Sequence, residues 1–108
     1  AHTVPVTREF WMGTTSGDYD RVLGAVQFRK ASDLHSNSWE IHPEADEIIV
    51  ALTGEIELVL EPDPSRSVAL HPRQAYIVPA GVWHRLVMRA PGELLFINSR
   101  RRMDHKAV

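Results

Sequence analysis

The chain has 108 residues, 44% hydrophobic and 24% charged, with a formal net charge of −2. That is enough for one domain with a single core, and its charge balance offers no basic surface for nucleic acid. It contains no cysteine, which excludes disulfides and thiolate chemistry and leaves His, Asp and Glu as the metal ligands on offer.

In chain order, the first candidate strand is "VTREFWMG", residues 6–13, apolar enough to pair outside its own sheet. Further candidates follow at 20–30, 38–42, 46–53, 54–61, 67–71, 75–79, 83–90 and 92–100. Several alternate with period two: Ile56, Leu58 and Leu60 oppose Glu55, Glu57 and Glu61 around Val59. Turn chemistry separates the runs. "LTGE" predicts a hairpin at Gly54, "APG" predicts a turn before the last run, and Pro62 and Pro64 close one strand ahead of another. The basic run "SRRRMDHK", residues 99–106, reads as a solvated tail. No window carries a capped helical stripe. About nine short strands in one domain, residues 1–108, predict an all-β barrel or double-sheet sandwich. No apolar run approaches the ~18 residues of a membrane span, and the start has no leader pattern. The expectation is a soluble cytoplasmic protein with neither membrane nor nucleic-acid partner.

One stretch, "WEIHPEADEIIVALTGE", sets a histidine and several carboxylates against an apolar run. Glu40 and His42 are two apart, so on a strand they project from one face, with Trp39 and Ile41 on the other. Glu47 opens the next strand after the turn "HPEAD". His84 arrives later, at a strand start behind "PAGVW". Together Glu40, His42, Glu47 and His84 form a two-His, two-carboxylate set, which suits Fe(II), Mn(II), Ni(II) or Zn(II) and leaves room for water or substrate. Taken singly, each residue has an ordinary reading: Glu40 as a surface acid, His42 before Pro43 as a turn histidine. Glu44 and Asp46 read as turn charges in either case. His2, His35, His71 and His105 sit in loop-like or terminal contexts and receive no role.

The pattern His42-x4-Glu47-x6-Gly54, followed by Pro79-x-Gly81-x2-His84, resembles the two motifs of the cupin superfamily over residues 39–88. The resemblance implies a jelly-roll β-barrel, a divalent metal ion, and His42, Glu47 and His84 as ligands. Four positions depart from the pattern: Leu34 and Arg73 replace motif glycines, Met88 stands at the motif asparagine, and Glu40 is the fourth. The first motif histidine is replaced by Glu40, which has to stand on its own chemistry; glutamate and histidine have similar reach and both bind first-row metals. Two carboxylates bring a divalent site near neutrality, so the expected centre is harder and less oxidising than one with three histidines. Cupins commonly dimerise, which implies a homodimer built partly by residues 6–13.

Alternation also predicts the pocket lining. If His84 points inward, so do Leu86 and Met88; Tyr76 and Val78 share a face, as do Phe96 and Asn98. A mostly apolar cavity beside a metal suits a small organic ligand. Nucleophile and phosphate-loop motifs are absent. Two function classes follow. The first is a metal-dependent enzyme of dioxygenase or isomerase type, in which Glu40 can act as base. The second is a non-catalytic binding or sensory module with a degenerate metal site, for which the substituted first ligand and the missing asparagine argue.

Overall fold

Period-two alternation becomes alternate burial along the strands. On β1 (Arg21–Phe28), Val22 and Phe28 point into the core while Arg21, Leu23 and Gln27 face out. The computed structural model describes residues 21–61, 66–99 and 102–108. Among them β1 is followed by a 3-10 turn (Ala31–Leu34), β2 (Ser38–Ile41), β3 (Glu47–Leu60), β4 (Val68–Leu70), β5 (Ala75–Val78), β6 (His84–Ser99) and β7 (Asp104–Ala107). All pairings are antiparallel and join the seven strands in one sheet, and no α-helix occurs among the described residues. The candidate strand at 6–13 lies outside them.

Two long strands, β3 and β6, carry the architecture. The first half of β3 pairs with β5 and the second half of β6, which in turn pairs with β1. The second half of β3 pairs with β4 and the first half of β6, which reaches β2 and, through it, β7. One sheet thus bends into two layers, the jelly-roll barrel. The bend corrects two expected turns. "LTGE" is not a hairpin and "APG" does not end a strand; both lie within continuous strands where the β3–β6 register shifts. Gly54 has φ +76° and approaches the backbone of Ala90 and Pro91, while a side chain at Gly92 would run into Thr53. The two glycines let the strands bend together, so the positive φ forms a bulge where a hairpin was expected.

The core fills the space between the layers. Phe28, Ile49, Ile56, Leu58 and Val78 are its largest fully buried side chains, each worth about 1.5–3 kcal/mol in apolar burial. The expected inward row Ile56, Leu58 and Leu60 is buried throughout. β7 corrects another expectation, since the basic tail is partly a strand paired with β2. On its outer face Lys106 reaches Glu61 at 2.8 Å and lies 4.6 Å from the Trp83 ring centroid. Charge composition hid a strand whose alternation is only four residues long.

Candidate metal centre

Four side chains meet at one end of the barrel, each delivered by a strand end. Glu40 lies on β2 and His42 just beyond it, two residues on and on the same face. Glu47 opens β3 and His84 opens β6, where it lies directly opposite Glu40. The turn before His84 needs Gly81, whose φ is +79° with open space around it, so the requirement is conformational. Two hydrogen bonds pin this turn to the one after His42. The Gly81 amide donates to the His42 carbonyl at 3.0 Å, and the Ala80 amide donates to Asp46 Oδ1 at 2.8 Å.

One donor atom from each of Glu40, His42, Glu47 and His84 lies within 4.8 Å of all the others. His42 Nε2 stands 2.7 Å from Glu40 Oε1 and 3.5 Å from Glu47 Oε1. His84 Nε2 stands 2.7 Å from Glu47 Oε1 and 3.7 Å from Glu40 Oε1. Donors about 2.1 Å from a shared ion stand roughly 3.0–3.4 Å apart, so these separations need only small adjustment around one ion. The side chains of His42, His84 and Glu47 are 3–6% exposed, whereas that of Glu40 is 30% exposed.

The tautomer of His84 sharpens this. Its Nδ1 lies 3.0 Å from the Val82 carbonyl, which can only accept, so Nδ1 carries a proton. In the neutral ring Nε2 then presents a lone pair to a Glu47 oxygen 2.7 Å away. Two lone pairs hold that distance only with a proton, on the ring or on the carboxyl, or a metal ion shared between them. The His42 ring adds a buried Nδ1 without a hydrogen-bond partner. The donor set therefore fits a divalent cation, and two carboxylates balance its charge.

Without metal, protons take that role. Burial alone would lower the two imidazoles, but hydrogen bonds to Glu40 and Glu47 outweigh it, raising His42 to about 9 and His84 to about 10. Burial likewise opposes ionisation of Glu40, yet His105, His42 and His84 together hold it well below the ordinary carboxyl value.

Glu40, Glu47 and His84 open onto a cavity of about 740 Å³. Of the residues expected to line a pocket, Leu86, Phe96 and Asn98 do so, joined by Ile49, Leu94 and Met103. Val78 is buried in the core, with Tyr76 and Met88 packed against it, and these three are not among the lining residues. Asn98 is 5% exposed and its Oδ1 lacks a hydrogen-bond partner. Trp39 turns away from Glu40, as alternation requires, under Arg85 at 5.4 Å from its ring centroid. Sequence reasoning missed His105: β7 places it opposite Glu40, 3.5 Å from Oε2, and on the cavity wall. The alternation of Met103, His105 and Ala107 was the available signal. His71, by contrast, pairs with Glu55 at 2.7 Å on the exposed surface.

The cupin-domain family model (Cupin_2) matches residues 33–99. The chain belongs to the cupin family. No curated protein matches it, but solved structures do. A cupin-superfamily sugar phosphate isomerase from Silicibacter pomeroyi superposes with TM-score 0.64 at 22% identity, covering 85% of this chain and 59% of that one. KdgF from a Halomonas species gives 0.59 at 23% identity, covering 81% and 76%. Hydroquinone 1,2-dioxygenase from Sphingomonas sp. TTNP3, with 4-hydroxybenzoate bound, gives 0.57 at 17% identity, covering 77% and 60%. At such identities the likeness concerns the fold, and a cupin fold serves several chemistries. Among the described residues of this cupin no helix is long and apolar enough to cross a membrane.

Proposed function

We propose that this cupin is a metal-dependent enzyme that isomerises a small organic substrate by proton transfer, with Glu40, His42, Glu47 and His84 holding a divalent first-row ion (Fe, Mn, Ni or Zn). The observation that carries the reading is the 2.7 Å approach of His84 Nε2 to Glu47 Oε1 with the other ring nitrogen already committed to a carbonyl. An ion held there would supply Lewis acidity to a substrate oxygen. Glu40 is the most exposed of the four side chains, and it lines the cavity. As general base, through the oxygen not on the ion, it takes a proton from the carbon beside a substrate carbonyl and returns it to a neighbouring atom, so no co-reactant is consumed. Leu86, Leu94 and Phe96 exclude water, and Asn98 offers an amide to a substrate hydroxyl.

The apolar walls favour a second reading, dioxygenase-type chemistry on an aromatic substrate, the class of ligand named for the Sphingomonas structure. Mn(II)- or Zn(II)-loaded protein, incubated anaerobically in D2O with a panel of hydroxy and oxo compounds, separates the two by NMR. Deuterium at the carbon beside the carbonyl, lost in Glu40→Ala, is expected for the isomerase. Oxygen uptake by Fe(II)-loaded protein without deuterium incorporation selects the dioxygenase. A protein that retains no divalent ion and gains no thermal stability from one overturns both and leaves the binding module.

The same reading includes a homodimer. Leu23, Ile97, Ile48 and Ile77 stand opposite one another across β1, β6, β3 and β5, with Ala25, Leu95, Val50 and Ala75 as the next row. Leu23 is 68% and Ile77 58% exposed. A continuous apolar sheet face of this kind suits burial against a second copy.

A further inference from the structure

The row that crosses the metal centre does not stop at Glu40. His84 on β6 lies opposite Glu40 on β2, and Glu40 lies opposite His105 on β7. Directly opposed residues of antiparallel strands share a face, so the central carboxylate is flanked by an imidazole on either side. Its two oxygens divide between them. Oε1 faces inward, 2.7 Å from His42 Nε2 and 3.7 Å from His84 Nε2, while Oε2 faces outward, 3.5 Å from His105 Nε2. His105 is not one of the four residues whose donor atoms converge. It stands one layer behind them, on the cavity wall, with its side chain 49% exposed.

A histidine in place of Glu40 would offer one nitrogen to an ion. A glutamate brings a second oxygen that can rotate inward and chelate, occupying a coordination position that a substrate or water needs. We infer that His105 is a positioning residue that holds Glu40 Oε2 outward and so keeps Glu40 a one-oxygen ligand. This rests on the metal-centre reading above. β7 is built to deliver the group. Lys106, alternate to His105, clamps the opposite face through Glu61 and Trp83, and the Val108 amide donates to the Asn37 carbonyl at 3.1 Å.

Co(II) titration, followed by calorimetry and visible absorption, tests the proposal in the parent, His105→Ala, His105→Gln, Glu40→His and the Glu40→His/His105→Ala double variant. Loss of an outer-layer partner that orients a ligand typically weakens metal binding about 10–100-fold; the strained four-membered chelate returns little of this, so a net loss is expected for His105→Ala. Its visible band should also weaken, as a second carboxylate oxygen raises the coordination number. His105→Gln keeps an N–H donor and should recover much of both signals. In Glu40→His there is no second oxygen to hold, so adding His105→Ala should change affinity by less than about threefold, the usual scatter for uncoupled sites. Equal losses on adding His105→Ala to the parent and to Glu40→His would show that His105 merely anchors β7 and would overturn the proposal. So would a His105→Ala titration and spectrum identical to the parent's. If the parent itself binds no Co(II), the metal-centre reading fails, a result distinct from either.

Discussion

At one end of the barrel polar side chains lie inside and apolar ones outside, the reverse of the usual order. Glu47, His84 and Asn98 point inward and are no more than 5% exposed, while Leu23 and Ile77 on the outer face are 68% and 58% exposed. Glu47 and Ile48 are neighbours in sequence and sit on opposite faces. Alternation fixes that adjacent residues part company and does not fix which side is apolar. Both arrangements are costly when left alone. A buried carboxylate needs a cation, and an exposed apolar row needs cover. On the proposed reading each face is half of an interaction, the inner one with an ion and the outer one with a second copy.

The inner face breaks most completely. His84→Ala should abolish metal retention, measured by elemental analysis after purification without added metal, and His42→Ala should do the same. In the metal-free protein His84→Ala also removes the 2.7 Å partner of Glu47 and leaves it His42 at 3.5 Å, at a cost of up to about 3–5 kcal/mol for a broken buried pair. Urea unfolding should show that loss, and Glu47→Gln added to His84→Ala should recover part of it. A His84→Ala protein that still copurifies with stoichiometric metal would put the site elsewhere. The outer face should break separately. Leu23→Asp with Ile77→Asp places like charges on the apolar row, and light scattering at high micromolar concentration should read a monomer where the parent reads a dimer. Metal content should not change. A monomeric parent would remove the dimer from the account.

Much of this is legible in the sequence. The alternation of Ile56, Leu58 and Leu60 gave β3 its inner face, and the spacing of Glu40, His42, Glu47 and His84 brought those four together. The departures have local physical causes. Gly54 and Gly92 looked like turn residues, since positive φ and lack of a side chain serve a hairpin and a bulge equally. His105 hid in a basic run because a strand of four residues, three of them well exposed, gives little hydrophobic period. Strand parity alone places Tyr76, Val78 and Met88 in a pocket, whereas all three belong to the core or pack against it. Parity separates inner from outer faces, but not the core from a cavity at one end of it.

pH sharpens the comparison on the inner side. His42 and His84 are raised from 6.5 to about 9 and about 10. A raised group stabilises the fold fully below its unfolded value and loses that contribution as pH climbs through the folded one. Glu40 is held below 4.5, so its contribution is present above that value and lost in acid. Metal-free protein should therefore be most stable between about pH 4.5 and 6.5, the unfolded values of these groups, and decline between 6.5 and 10. Metal displaces those ring protons, so apparent affinity should climb with pH, by up to about tenfold per unit for each proton released. Calorimetric melts of metal-free and loaded protein should accordingly diverge as pH rises. Parallel curves across that range would mean that the imidazoles are not ligands.

The smallest effect concerns what holds the inner face together. Glu44 and Asp46 are both exposed acids in the turn after His42, and composition does not distinguish them. Asp46 Oδ1 accepts the Ala80 amide at 2.8 Å, tying this turn to the one that presents His84, beside the bond from the Gly81 amide to the His42 carbonyl. Asp46→Ala removes a charge-assisted bond at the surface, worth about 1–2 kcal/mol. It should also weaken metal binding a few-fold, because His42 and His84 are then held to each other by one bond fewer. Asp46→Asn keeps an acceptor oxygen and should restore most of both, while Glu44→Ala should match the parent in melting temperature and metal affinity. If Glu44→Ala and Asp46→Ala behave alike, the link between the turns contributes nothing and the strands alone set the geometry. If Asp46→Ala loses stability but binds metal like the parent, the two turns are tied for folding and the ion-binding face is rigid without them.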